Sequence, residues 1–206
     1  MKEQILYHSL KAIEEVYDKS MYENNDIFRI KDIIHSLDKN HWESKQWLAD
    51  TFKNFYKFDA GKMCVVGGWY GLTAYQLRRQ FQSSTMHIVS SDMDPECAYI
   101  GQQIFRSHNI DFKTFNMFDQ SYDDCNALIS TSAEHVDRDK LVELVKNKHR
   151  RTWVVLQSNN YFDHPTHINC STSADEFKSY LEPYLDIYWV GTLPNQGFNR
   201  FMVIGK

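Results

Sequence analysis

The most constraining feature of the sequence is a change of rhythm near residue 60. Beyond Lys62, short apolar runs alternate with segments whose apolar residues recur at helical spacing. Seven of these runs are predicted to be strands, at 63–66, 86–89, 112–115, 127–129, 153–156, 187–190 and 201–204. Strands that alternate with helices are typical of βαβ units and a mainly parallel sheet. The last two runs are separated only by a loop, 191–200, and are therefore predicted to form an antiparallel hairpin.

Residues 1–58 have a different pattern, which predicts two or three amphipathic helices. Their apolar residues fall on three stripes at helical spacing, the first of which passes through Leu6 and Leu10. Such stripes need an apolar partner, most simply the segment that follows. We therefore predict an N-terminal helical cap over 1–58 and an α/β domain over 59–206.

Helix starts and one candidate lid residue can also be identified in the first 58 residues. Asn25 precedes the second stripe, and Asn40 with Glu43 three positions later has the pattern of a capping box for the third. The aromatic residues of these helices are predicted to be mostly core, although Tyr22 could reach a pocket as a lid.

Composition narrows the class of protein. A content of 42% hydrophobic and 24% charged residues suits a globular chain. There is no apolar stretch long enough for a membrane span and no signal-peptide pattern, which predicts a cytoplasmic protein.

The net charge of −4 disfavours a nucleic-acid partner, and the one basic run, 146–151, is predicted to lie at the rim of the sheet opposite the pocket. A small-molecule substrate is favoured, and the oligomeric state is left open.

The cysteine pattern predicts neither disulfides nor a zinc site. The four cysteines lie far apart without a CxxC pair, and are expected to be reduced: Cys64, Cys97, Cys125 and Cys170. His164, His167 and Cys170 are spaced three apart, but this spacing is unspecific in a loop, and a fourth ligand is missing. We predict no metal site, and expect the two histidines to contact substrate.

The residues that follow the predicted strands are candidates for a binding site, because open parallel sheets bind ligands at the carboxyl ends of their strands. The first strand is followed by a glycine-rich turn, which permits close approach of a ligand to the backbone: Gly67, Gly68, Trp69, Tyr70 and Gly71. The second is followed by Asp92 and Met93, with Asp92 21 residues beyond Gly71. A carboxylate there can accept hydrogen bonds from both hydroxyls of a ribose, whereas Asp94 before Pro95 suits a helix cap.

The later strand ends carry further polar residues. Phe118 and Asp119 follow the third strand and suit an adenine ring and its amino group. The fourth and fifth strands are followed by hydroxyl, carboxylate, imidazole and amide groups, on Thr131, Ser132, Glu134, His135, Asn159, Asn160 and Tyr161.

Taken in this order, the strand-end residues resemble the class I S-adenosylmethionine-dependent methyltransferases. The glycine turn is similar to the family's first motif, Asp92 to its ribose-binding acid, and Phe118-Asp119 to its adenine-contacting pair. The segment 131–135 is similar to its fourth motif, and the closing hairpin resembles its reversed seventh strand. The resemblance covers about residues 60–206. It implies a seven-stranded, Rossmann-like sheet with an antiparallel final strand and S-adenosylmethionine as cofactor.

The resemblance also implies roles for individual residues. The cofactor would be bound by the glycine turn and the next three strand ends, through Gly67, Gly68, Trp69, Tyr70, Gly71, Asp92, Met93, Phe118, Asp119, Thr131 and Ser132. Glu134, His135 and Tyr161 are candidates for proton removal or contact with the acceptor. Substrate binding is expected of Asn159, Asn160, His164 and His167.

The sequence departs from the family pattern at two places. The family usually has an acid before the glycine turn and a glycine at its centre, where this chain has Cys64-Val65-Val66 and Trp69. The fourth motif lacks the Asn/Asp-Pro-Pro-Tyr signature, which disfavours amino methylation of DNA bases.

The predicted reaction is methyl transfer to a small molecule or an exposed group, which depends mostly on alignment of the reactants. Transfer of the aminocarboxypropyl group of the same cofactor, its cleavage, or binding without catalysis are the alternatives. An NAD-linked dehydrogenase is a weaker reading, because GxGxxG is missing and a reversed terminal hairpin is not expected of that fold.

Overall fold

The structure is a computed structural model that describes residues 2–23 and 27–206, with side chains described for 5–16 and 28–206. Seven helices are assigned in these ranges: α1 (Lys2–Glu23), α2 (Ile27–Ser36), α3 (Lys39–Phe55), α4 (Leu72–Gln80), α5 (Pro95–Phe105), α6 (Arg138–Lys146) and α7 (Ala174–Ser179). The strands are β1 (Gly61–Val66), β2 (Met86–Asp92), β3 (Asp111–Thr114), β4 (Ala127–Ser130), β5 (Trp153–Asn159), β6 (Ile187–Asn195) and β7 (Phe198–Gly205). None of these helices has the length and apolar character needed to cross a bilayer.

The seven strands form one sheet in the order β3-β2-β1-β4-β5-β7-β6. Strands β1 to β5 are parallel to one another, and β7 is antiparallel to both β5 and β6. The predicted seven-stranded sheet with a reversed final strand is therefore confirmed. Its strand order reverses between β1 and β4, the place where ligands bind in open α/β sheets.

The closing hairpin is tighter than predicted. Strand β6 continues to Asn195 and β7 begins at Phe198, so the predicted loop 191–200 consists mostly of strand. Pro194 and two glycines predict a loop for this segment. However, β6 is an edge strand, where proline is tolerated.

The sheet is covered on both faces, which explains the continuous apolar runs of its central strands. In β1, Met63 and Val65 face a core shared with Leu48 and Phe52 of α3. The alternate residues, Cys64 and Val66, face a second core that includes α6 and α7. Helix α3 is thus part of the packing of the sheet, and the proposed division of the chain at residue 58 stays a prediction.

The first two helices pack at the edge of the α4–α5 layer. Ile5, Ala12 and Ile33 join a third core with residues of the glycine turn, α4 and α5. The predicted stripe of α1 is wrong in its phase, because Leu6 is 60% and Leu10 57% exposed while Ile5 is buried. Asn25 and the side chain of Tyr22 lie outside the described residues.

Two further local predictions are corrected by the structure. Helix α3 is capped by Asp38, whose carboxylate accepts a hydrogen bond from the His41 amide, and not by Asn40, which lies inside the helix. Cys64 and Cys125 are joined by a disulfide, so only Cys97 and Cys170 are free thiols. These two partners are 61 residues apart in the sequence, and are brought together because β1 lies beside β4.

Candidate active site

The glycine turn between β1 and α4 adopts a conformation that most residues avoid. Gly67 and Gly71 have φ values of +58° and +89°, and Trp69 at the centre of the turn has φ +51°. A tryptophan in the left-handed region costs backbone energy and persists only where its surroundings hold it. The Gly68 amide donates to the Ser91 carbonyl, and the Trp69 amide donates to Asp92 Oδ2 at 2.9 Å. The turn is therefore tied to the end of β2.

Asp92 lies where the strand-end prediction requires it. Its carboxylate accepts the Trp69 amide on one oxygen and the Asp94 amide, at 3.1 Å, on the other. Each carboxylate oxygen can accept a further hydrogen bond, and the residue lines the cavity described below. Asp94 is used differently, because it caps α5 at the Glu96 amide and forms an ion pair with Arg29 at 2.8 Å.

Apolar side chains line the same side of the cavity. Met93 is 74% and Phe118 39% exposed, and both contribute to its wall together with Met117. Asp119, predicted to contact an adenine amino group, is exposed and does not line the cavity. The structure thus brings Phe118 to the site and leaves Asp119 outside it.

A buried ion pair lies at the ends of β4, β5 and β7. Glu134, 3% exposed, accepts hydrogen bonds on Oε1 from Asn159 Nδ2 at 2.7 Å and from Arg200 Nη1 at 3.3 Å. Arg200 is opposite Asn159 in the β5–β7 register, so the strand pairing itself brings these groups together. Thr131 and Ser132 lie between this pair and the glycine turn, with Ser132 Oγ donating to the Gly67 carbonyl at 3.3 Å.

Helix α3 adds two basic side chains to this end of the cavity. Burial and the charge of Arg200 lower the pKa of Lys45 well below its usual value, while Glu134 acts in the opposite direction. Burial and the charge of Lys45 lower the pKa of His41 to about 4, although Asp38 opposes this. His41 is therefore neutral at physiological pH.

Sequence reasoning missed Lys45, His41 and Arg200. A signal for Lys45 was present, because it falls at i, i+3, i+7 with Leu48 and Phe52 and thus on the buried stripe of α3. The sequence predicts Arg200 as the last residue of the loop 191–200, but in the structure Arg200 lies in a buried part of β7.

The segment after β5 forms the remaining part of this wall. Tyr161, His164 and His167 line the cavity, and the ring centroids of His135 and His167 are 4.6 Å apart. Asn160 does not line the cavity, because its side chain accepts a hydrogen bond from the Asn199 amide at 2.6 Å and fastens the closing hairpin.

Helix α2 closes the cavity above the glycine turn. Asp32 accepts hydrogen bonds from Trp69 Nε1 at 3.3 Å and from the Tyr70 hydroxyl at 3.4 Å. The N-terminal helices therefore contribute a wall of the site, through Asp32, His35, Ser36, Asp38, Asn40, His41 and Lys45.

These elements enclose a cavity of about 780 Å³. Fifteen of the sequence-predicted site residues line it: Gly67, Gly68, Trp69, Tyr70, Asp92, Met93, Phe118, Thr131, Ser132, Glu134, His135, Asn159, Tyr161, His164 and His167. Gly71, Asp119 and Asn160 do not. This volume is within the range of about 300–1,000 Å³ found for small-molecule sites.

Comparison with solved structures finds the same fold in proteins of low sequence identity. Magnesium protoporphyrin IX methyltransferase (ChlM) from Synechocystis PCC 6803, with bound SAH, matches with a TM-score of 0.64 and 12% identity over 92% of this chain and 93% of that chain. The CurJ carbon methyltransferase matches with a TM-score of 0.66 and 11% identity, over 96% and 66% of the two chains. A SAM-dependent methyltransferase from Aquifex aeolicus gives 0.60 and 12% identity over 77% and 88%.

The sequence itself gives no such match. No protein-family model matches it, and no curated protein matches it either. The strand order and the solved structures together show that this chain has the fold of the class I S-adenosylmethionine-dependent methyltransferases.

Proposed function

We propose that the protein transfers a methyl group from S-adenosylmethionine to a small molecule. The observation that carries this proposal is the position of Asp92, whose carboxylate lies against the glycine turn with acceptor capacity directed to a ligand-sized cavity. The structural neighbours with the same fold that are described as methyltransferases of protoporphyrin or mitomycin support it further.

The residues present suit the two ends of the cofactor's nucleoside. Asp92 can accept hydrogen bonds from both ribose hydroxyls, because its oxygens hold only one amide each. Met93 and Phe118 present exposed apolar surface on the cavity wall, which a flat adenine ring would cover. When bound, S-adenosylmethionine would supply a methyl group already activated by its sulfonium.

The polar end of the cavity is assigned to the acceptor. Glu134, His135, Tyr161 and His167 line the cavity together, and the rings of His135 and His167 are 4.6 Å apart. These groups orient the acceptor's nucleophilic atom and exclude water, the main contributions that an already activated methyl group requires. Either a carboxylate or a neutral imidazole can accept a proton that the acceptor loses.

Calorimetry with S-adenosylmethionine and S-adenosylhomocysteine tests the cofactor. The wild type and Asp119→Asn should bind both, while Asp92→Ala should bind neither at micromolar concentration. Equal binding by Asp92→Ala, or no binding by the wild type, would contradict the proposal.

Product analysis tests the reaction. The protein is incubated with S-adenosylmethionine and pools of phenols, carboxylic acids and amines, and the nucleosides are separated by chromatography. S-adenosylhomocysteine supports methyl transfer, whereas methylthioadenosine would indicate aminocarboxypropyl transfer or cleavage. Cofactor binding without either product across the pools would favour a non-catalytic subunit.

A further inference from the structure

The segment after β5 holds a histidine against Glu134 by backbone contacts. The amides of Ile168 and Asn169 both donate to the Glu134 carbonyl oxygen, at 2.9 and 3.0 Å. As a result, a carboxylate oxygen of Glu134 and one ring nitrogen each of His135 and His167 lie within 4.8 Å of one another. Ligand atoms around a tetrahedral zinc ion, with bonds near 2.1 Å, are about 3.4 Å apart, so small side-chain rotations suffice.

The hydrogen bonds of the two imidazoles leave one nitrogen of each ring available. Nδ1 of His167 lies 2.6 Å from the Tyr161 carbonyl oxygen, and Nδ1 of His135 lies 3.2 Å from the Thr166 carbonyl oxygen. A carbonyl oxygen only accepts, so these contacts favour the tautomer with the proton on Nδ1 and the lone pair on Nε2, although the Thr166 hydroxyl also lies 3.0 Å from His135 Nδ1. Metal-binding histidines are oriented in this way in proteins.

Glu134 has a second feature that favours a cation at this position. Its Oε1 is held by Asn159 and Arg200, but its Oε2 is buried without a hydrogen-bond partner in the part of the chain that the structure describes. A buried carboxylate oxygen without a partner is costly, and a bound cation would remove that cost.

A second group of two histidines and a carboxylate, formed by His35, Asp38 and His41, has no unpartnered carboxylate oxygen. Asp38 Oδ1 accepts the His41 amide and lies 3.0 Å from His41 Nδ1, while Oδ2 lies 3.0 Å from His35 Nδ1. Both oxygens of Asp38 are thus already used, as the cap of α3 and as partners of the two rings. This group serves as the internal control for the first.

We propose that Glu134, His135 and His167 bind one divalent transition-metal ion at the acceptor end of the cavity. Two imidazole nitrogens and one carboxylate oxygen suit Zn²⁺, Fe²⁺ or Co²⁺, whereas Mg²⁺ prefers oxygen ligands. Three protein ligands leave a coordination position open, as in catalytic zinc sites. With Glu134 and His135 occupied as ligands, the ion in their place would hold an oxygen of the acceptor and favour its deprotonated form, a role that rests on the proposed methyl transfer.

Titration with Co²⁺ tests the site, because tetrahedral or five-coordinate cobalt has visible absorption bands. Protein freed of metal by a chelator should bind one Co²⁺ per chain, and Zn²⁺ but not equimolar Mg²⁺ should displace it. His135→Ala and His167→Ala should each lower the affinity at least tenfold, and Glu134→Gln should do the same if it remains folded by circular dichroism. His35→Ala, in the control group, should leave Co²⁺ binding unchanged.

Three results would overturn the metal site: no Co²⁺ binding by folded wild type, binding unaffected by both His135→Ala and His167→Ala, or loss of binding in His35→Ala. Calorimetry with S-adenosylhomocysteine on the same metal-free sample separates this inference from the proposed function. A wild type that binds Co²⁺ but not S-adenosylhomocysteine overturns the cofactor proposal alone, and the reverse overturns the metal site alone.

Discussion

The two ends of the cavity are built on different principles. The end near Asp92 consists mostly of residues at or directly after the ends of β1, β2 and β3, with Asp32 of α2 over the glycine turn. The end near Glu134 consists of buried ionisable side chains from α3, the 3₁₀ turn at Ala133–His135 and β7, which are distant in the sequence. The comparison indicates that the Asp92 end, the proposed nucleoside end, can be predicted from local sequence order, whereas the Glu134 end, the proposed acceptor end, depends on long-range pairing of strands and helices.

The largest effect is expected where buried charge is removed from the acceptor end. Glu134→Gln should lower the free energy of unfolding by about 3–5 kcal/mol, because Arg200 and Lys45 lose their carboxylate in a buried setting. Urea denaturation measures this, with Glu182→Gln of the exposed Lys178–Glu182 pair as a control expected to change it by about 1 kcal/mol or less. Equal effects of the two variants on the free energy of unfolding would contradict the expectation that losing a buried carboxylate costs more than losing an exposed one.

At the nucleoside end, Asp92→Ala should act mainly on ligand affinity. Two hydrogen bonds to a charged group contribute about 3 kcal/mol together, so S-adenosylhomocysteine affinity should fall about a hundredfold. Calorimetry should show less than a threefold change for Asp119→Asn, whose side chain lies outside the cavity. A hundredfold loss in the Asp119 variant instead would mean that the adenine is bound by a different loop surface.

The backbone of the glycine turn can be tested by a matched pair of substitutions. Gly71→Ala should destabilise the protein by roughly 2 kcal/mol or more, because φ is +89° and a β-carbon would lie 2.5 Å from Phe112. Gly197→Ala, at φ +86° with nothing within 4 Å, carries the backbone cost alone, about 1 kcal/mol. Thermal denaturation that ranks Gly197→Ala as the more harmful would show that the turn relaxes readily.

The smallest effect concerns the pH dependence of stability. The groups that face His41 are Lys45, Arg200, Asp38 and His35. Because the pKa of His41 is lowered to about 4, the unfolded chain binds a proton below pH 6.5 that the folded protein does not. Stability should therefore fall as the pH drops from 6.5 toward 4, by about 2 kcal/mol at pH 5, and this contribution should be flat above pH 7.

His41→Asn should remove that part of the pH dependence, and the same change at the exposed His87 should not. Urea denaturation at several pH values between 4.5 and 7.5 makes the comparison. A pH profile that is identical in wild type and His41→Asn would contradict the assignment of a buried, neutral imidazole.

The fold was largely predictable, because apolar runs on alternating segments report strands and helices directly. All seven predicted strands were confirmed, and fifteen of the site residues predicted from the sequence line one cavity. Two local predictions were wrong. Pro194 favours a loop but lies in the edge strand β6, and α1 buries Ile5 where the apolar spacing favours its neighbour Leu6.

The acceptor end was only half predictable. Glu134 was identified from its position after β4, but its partner Arg200 is 66 residues away and is set by the β5–β7 register. The disulfide between Cys64 and Cys125 was missed for the same reason, since sequence spacing does not reveal which strands are neighbours. Asp119 differs from Glu134, because it is exposed and does not line the cavity, and its predicted contact with an adenine amino group stays a prediction.

The contact of Asp32 with Trp69 and Tyr70 has a consequence for how such a protein can diversify. One side of the chamber comes from helices that precede the strands in the chain. Changes in residues 28–41 therefore alter the glycine turn together with this wall, because Asp32 holds Trp69 and Tyr70 and Ile33 is buried against the same core. Substitutions meant to admit acceptors of new shapes have to leave Asp32 and Ile33 in place.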